Sequence, residues 1–142
     1  MQKYLYYWLL LVGVGHIILG MVFIVIAKTS LITPYINSLY QVFDVSFNSA
    51  NDQLLRTVLQ LLGPTVVSWA ALFCLAIHYY VKHGTTAIKQ LIIIALLLWF
   101  AFDTGISMLN GINSHIVINS FVMLMILPPL LLLKPDNEAE YI

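Results

Sequence analysis

Four long apolar stretches, separated by short polar ones, dominate the pattern along the 142-residue chain. They cover about residues 4–27, 54–81, 88–110 and 115–133, with one long polar connection at 28–53. About 20 apolar residues in a helix cross a hydrocarbon core of about 30 Å, so the pattern predicts four transmembrane spans. Asp52 is placed to cap the second span, Thr85 or Thr86 the third, and Asn113 or Ser114 the fourth. Gly84 and Asn110-Gly111 are the stop signals of the second and third. Gly63-Pro64 is expected to kink the second span, and Pro128-Pro129 to bend or break the fourth. In the connection, Pro34 can open a short helix whose Tyr35, Ile36, Leu39, Tyr40 and Phe43 recur at helical spacing. Such a segment would serve as an interfacial connector or as a lid over a pocket. The tail after Pro135, DNEAEYI, is expected to be mobile.

Composition turns this pattern into a class. Hydrophobic residues make up 61% of the chain and charged residues 8%, where a soluble protein has about 25% charged. The chain therefore reads as an all-α integral membrane protein: a four-helix transmembrane bundle with one long extracytoplasmic loop, forming a single membrane domain over residues 1–142. The first stretch lacks a small-x-small cleavage site and reads as a retained span, with Tyr4, Tyr6, Tyr7 and Trp8 as its interfacial aromatics. Lys3, Lys82, Lys89 and Lys134 fall on the side of the termini, and Lys28 and Arg56 on the other. That imbalance favours cytoplasmic termini in the cell membrane.

Net charge is zero and no basic block exists, which argues against nucleic acid as a partner. The partners to expect are the lipid bilayer, a small-molecule or lipid ligand, and a second copy or a larger membrane complex. Cys74, the single cysteine, allows no internal disulfide and no C-x-x-C chemistry, and reads as a small buried hydrophobe.

The candidate chemistry starts from Asp103, the ionisable residue inside LIIIALLLWFAFDTGISMLN. A charge at that depth costs at least about 2.5 kcal/mol, so it should turn inward and find a partner. His16, flanked by Gly13 and Gly20 on one face of the first span, is the expected partner. Hydrocarbon disfavours charge on either group, whereas proximity lets each hold the other charged, so the pair could exchange a proton near neutral pH. Gln60, Ser68, Ser107, Asn110, His115 and Asn119 fall at similar height and complete an expected ligand pocket in the outer half of the bundle. Gln60, Pro64, Ser68, Ala71 and His78 form a polar seam on the second span. His115, Asn119, Val122 and Ile126 share a face of the fourth, and Leu96, Trp99, Asp103, Ser107 and Asn110 one of the third.

His16, His115 and Asp103 are metal ligands by type, but they come from three spans without H-x-x-x-H or E-x-x-H spacing, so neither metal nor haem is expected and no cofactor is assigned. Small multidrug transporters carry a glutamate where this chain has His16, and vitamin K epoxide reductase-like proteins need a C-x-x-C. The G-x-G-H-x-x-x-G of residues 13–20 resembles the first span of DoxX-like proteins over those few residues and carries no role across. Three functions fit: a binding or transport protein for a small or lipid-like ligand, a non-catalytic accessory subunit, and a membrane-embedded enzyme with Asp103 or His16 as general acid or base. The cytoplasmic halves of the third and fourth spans are nearly all Leu, Ile and Met, which favours a one-sided pocket over a transport path, and an enzyme, the weaker choice, would need a second ionisable group for which only His16 and His115 qualify.

Overall fold

Every apolar stretch folds as one continuous helix in the computed structural model, which describes residues 1–135. The acidic tail expected to be mobile lies outside the described residues. The order is α1 (Gln2–Ile26), a 3-10 turn (Ser30–Ile32), α2 (Thr33–Val42), α3 (Ser49–His83), α4 (Thr86–Leu109) and α5 (Asn113–Leu132). The protein is all-α, and α1, α3, α4 and α5 are long and apolar enough to cross a membrane. α2 is the short helix that Pro34 foreshadows.

Some boundaries shift for local reasons. α3 starts at Ser49 because Asn48, in extended conformation, accepts a hydrogen bond from the Ala50 amide at 2.8 Å and caps the helix. Asp52, the expected cap, sits instead in the first turn, where its carboxylate suits the helix dipole. With 35 residues, α3 is about 50 Å long, so its first turns extend beyond a bilayer core. At α5, Asn113 is already the first helical residue and no side chain caps it.

The internal prolines do not break their helices. Proline withholds an N–H from the carbonyl four residues earlier. For Pro129 that carbonyl belongs to Met125, and it accepts instead from Trp8 Nε1 at 2.9 Å. α1 thus supplies the missing donor, and α5 continues to Leu132.

Packing proceeds around a ring, α1 on α3, α3 on α4, α4 on α5 and α5 on α1. α1 and α3 approach most closely, at Gly20 and Gly63. A Cβ on Gly20 would lie 2.7 Å from the Gly63 carbonyl oxygen, and one on Gly63 would lie 2.6 Å from the Gly20 carbonyl oxygen. Gly13 likewise faces the Cys74 sulfur. Small residues let two backbones touch where no hydrophobic force separates helix from lipid. This contact also fixes the rotation of α3. Gly63, Ala70 and Ile77, spaced by seven, turn inward, so Pro64, Ser68 and His78 of the expected seam are exposed.

Two apolar clusters fill the bundle. One, towards the termini, joins Leu9, Val12, Phe73, Ile77, Leu96, Met123, Ile126 and Leu130. The other joins Ala27, Ile32, Ile36, Tyr40 and Leu59 and seats α2 across the ends of α1 and α3. Side chains from neighbouring helices close both ends of the bundle. Lys89 Nζ donates to the Leu131 and Leu133 carbonyls at 2.8 and 2.9 Å, and Tyr80 OH to Leu133 at 3.1 Å, satisfying the last carbonyls of α5. At the loop end, Arg56 donates to the Ala27 and Thr29 carbonyls, to Thr33 Oγ1 and to Asp52 Oδ2, tying α1, the 3-10 turn and α2 to α3.

Gly20→Ala is expected to destabilise the protein by about 1–3 kcal/mol, because its Cβ meets backbone that must move away. Gly15→Ala, facing open space, should change stability by no more than about 0.5 kcal/mol. Thermal unfolding in detergent distinguishes the two, and equal effects would refute the close-approach account. Arg56→Ala should cost about 2–3 kcal/mol, since the carbonyls it leaves lose charge-assisted donors. Arg56→Lys, lacking the planar fork, should recover less than half of that loss.

Candidate functional site

The α4–α5 turn positions the site. Gly111 adopts φ 69°, its amide donates to the Met108 carbonyl, and the Ile112 amide to that of Ser107 at 2.9 Å. This Schellman arrangement reverses the chain within a few residues. In so tight an antiparallel hairpin, residues equidistant from the turn face each other. Asp103 and Asn119 are both eight positions from Gly111. Asn119 Nδ2 accordingly donates to Asp103 Oδ2 at 2.9 Å and to Thr104 Oγ1 at 3.2 Å. Asn119 and Thr104 are buried, and Asp103 is half-buried. Ser107, one turn beyond Thr104 on the same face of α4, is also buried.

A second pair lies one turn along α5. His115, four residues before Asn119, meets Tyr35 of α2, with its Nε2 2.8 Å from the phenol oxygen and the two rings parallel within 2°. Burial first, and the negative charge of Asp103 second, raise the Tyr35 pKa above its ordinary value. Tyr35 therefore keeps its proton at neutral pH, and its hydroxyl shares a hydrogen bond with His115 Nε2. The same influence puts the Asp103 carboxylate within electrostatic reach of the Tyr35 hydroxyl. Asp103, Thr104, Asn119, His115 and Tyr35 thus form one polar group contributed by α2, α4 and α5, lying between the two apolar clusters.

The remaining expected site residues are placed differently. His16 Nδ1 pairs with the Val12 carbonyl of its own helix at 2.8 Å, and its ring packs edge-on against Trp69. Among the described residues no hydrogen bond or ion pair joins His16 to Asp103. The hairpin presents Asn119 to the carboxylate, while Trp69, itself 6.2 Å from Trp99, occupies the imidazole. Gln60 Nε2 donates to the Ile24 carbonyl and serves the α1–α3 contact. Ser68 and Asn110 are exposed and bond to carbonyls of their own helices, those of Pro64 and Ile106. On α5 the inward face runs through Asn119, Met123, Ile126 and Leu130, and Val122 is half-buried beside it.

Thr104 and Tyr35 are the participants that sequence reasoning overlooks. Thr104 carries a usable signal, three residues before Ser107 and nearly opposite Asn119 across the turn. Tyr35 carries none, because its helical spacing marks it only as apolar. Among the described residues, no three His, Cys, Asp or Glu side chains gather closely enough to hold a metal ion. Comparison of the chain with family models, with curated proteins and with solved structures finds no match.

The raised Tyr35 pKa has a testable sign. A folded-state pKa above the unfolded one stabilises the fold at neutral pH, and that contribution is lost as pH rises through the folded value. Ultraviolet titration should show a phenol ionising later than free tyrosine and absent in Tyr35→Phe. Asp103→Asn should bring it part of the way back, because burial remains when the neighbouring charge is gone. A titration unchanged by Asp103→Asn would disprove the electrostatic link.

Proposed function

We propose that the chain is a multi-pass membrane protein that binds a small cationic or lipid-like ligand in the loop-side half of its bundle, with the Asp103 carboxylate as anchor. The observation carrying this reading is that Asp103 lies inside a span and, among the described residues, only the neutral Asn119 amide donates to it and no cation pairs with it. An intramembrane carboxylate without a counter-charge marks a functional site by default, since either a proton or a ligand cation must offset its charge. Asn119 and Thr104 hold the carboxylate in place. Tyr35 and His115 close the site beneath α2 and supply a proton-bearing pair beside it.

Binding from one side is favoured over passage through the bundle. The half towards the termini is filled by the apolar cluster around Leu9, Phe73, Leu96 and Ile126, and a through-path would have to cross it. With the lysine imbalance, the reading places the termini in the cytoplasm and the site towards the outer face of the cell membrane. An accessory-subunit role gains less support, because Gly13, Gly20 and Gly63, the residues best suited to seat a partner helix, are already buried against each other's helices.

Equilibrium binding of the lipophilic cation tetraphenylphosphonium to the protein in lipid nanodiscs tests this. The wild type is expected to bind it. Asp103→Asn should lower affinity by about tenfold or more, a loss typical of a charge-assisted contact. Equal binding by wild type and Asp103→Asn would overturn the reading.

A further inference from the structure

At the end of the bundle opposite Asp103, the start of α1, the end of α3 and the segment after α5 enclose an open cavity of about 630 Å³. Lys3, Lys82 and Lys134 line it, one from each segment, together with Tyr6, Tyr7 and His78. No acidic side chain lines it among the described residues, where the one ion pair, Arg56 with Asp52, lies at the far end of the bundle. Three lysines thus line one cavity with no acidic side chain beside them among the described residues. Lys89, the other lysine at this end, differs: it donates to the Leu131 and Leu133 carbonyls and belongs to the cap of α5. Among the described residues, the side chains of Lys3, Lys82 and Lys134 make no such bond. Lys3 stands 6.0 Å from the centre of the Tyr7 ring, and the Tyr6 hydroxyl lies 2.9 Å from His78 Nδ1, so the wall offers further polar groups beside the cations.

Depth identifies the source of the anion. The cavity lies level with the exposed Tyr4, Tyr7 and Trp8 at the start of α1, an aromatic belt of the kind found at headgroup level. Below it, Leu11 on α1 and Leu75 on α3 are exposed and offer an apolar surface to acyl chains. A basic pocket between spans at headgroup depth matches a phospholipid phosphate, and its volume falls in the range of small-ligand sites. We propose that this cavity binds the headgroup phosphate of an anionic phospholipid, with Lys3, Lys82 and Lys134 as its cationic ligands and the acyl chains along Leu11 and Leu75. The site is separate from Asp103, and either can stand without the other.

Native mass spectrometry of the full chain in detergent, with equal amounts of phosphatidylglycerol and phosphatidylcholine, provides the test. The wild type is expected to retain phosphatidylglycerol with a preference of roughly tenfold or more. Combined Lys3→Gln, Lys82→Gln and Lys134→Gln should abolish the preference, and Lys28→Gln, at the other end of the bundle, should leave it intact. Circular dichroism checks that the triple variant is folded; if it is not, the three single variants decide, each expected to lose several-fold. A preference that survives the substitutions overturns the proposal. So does thermal stabilisation by inorganic phosphate as large as that by phosphatidylglycerol at equal concentration, which would assign the cavity to a soluble anion.

Discussion

In hydrocarbon no water completes a hydrogen bond, so every polar group inside a membrane protein must be satisfied by the protein itself. Much of this structure follows from that constraint. The Met125 carbonyl, left open by Pro129, takes the Trp8 indole N–H. The last carbonyls of α5 take Lys89 and Tyr80, and those at the end of α1 take Arg56. Each of these bonds crosses from one helix to another. The chain thus uses helix ends and the gap left by Pro129, places where a helix cannot satisfy itself, to lock the helices together. The glycine contact between α1 and α3 does the complementary task mid-span, where the backbone is already satisfied and only close packing remains to hold the helices.

The number, type and rough limits of the spans are legible because hydropathy reports directly on what a helix in lipid requires. The first span is expected at about 4–27 and found at Gln2–Ile26. Rotation about each helix axis is harder to read. In α3 the hydrophobic pattern runs nearly all the way round, so a seam drawn through Gln60, Pro64 and Ser68 looks as good as one drawn through Gly63, Ala70 and Ile77. The close approach of Gly20 to Gly63 decides between them, and that contact involves residues with no side chain to reveal it. Helix ends are hard to read for a related reason: at α3 several residues can cap, and the local backbone selects Asn48 over Asp52.

The site was legible in part, and the division has a physical cause. An aspartate in an apolar run declares itself, and its need for an inward partner follows from solvation alone. Which partner it meets depends on topology. Helices joined by a tight turn pair residues equidistant from it, and this places Asn119 opposite Asp103; His16, on the first span, has no such covalent constraint to bring it there. The hydroxyl of Tyr35 was hidden by the apolar character of the rest of the ring.

The two ends of the bundle carry unlike chemistry, and the apolar cluster between them keeps the two apart. Towards the loop, a carboxylate meets neutral donors and a tyrosine–histidine pair under α2. Towards the termini, lysines gather around an open cavity. The cations at one end and the anion at the other therefore do not meet inside the bundle. The twelve buried residues of the larger cluster hold that separation. The apolar half of the bundle therefore shapes the electrostatics: it stands between Asp103 and the lysines, and among the described residues no cation pairs with that carboxylate.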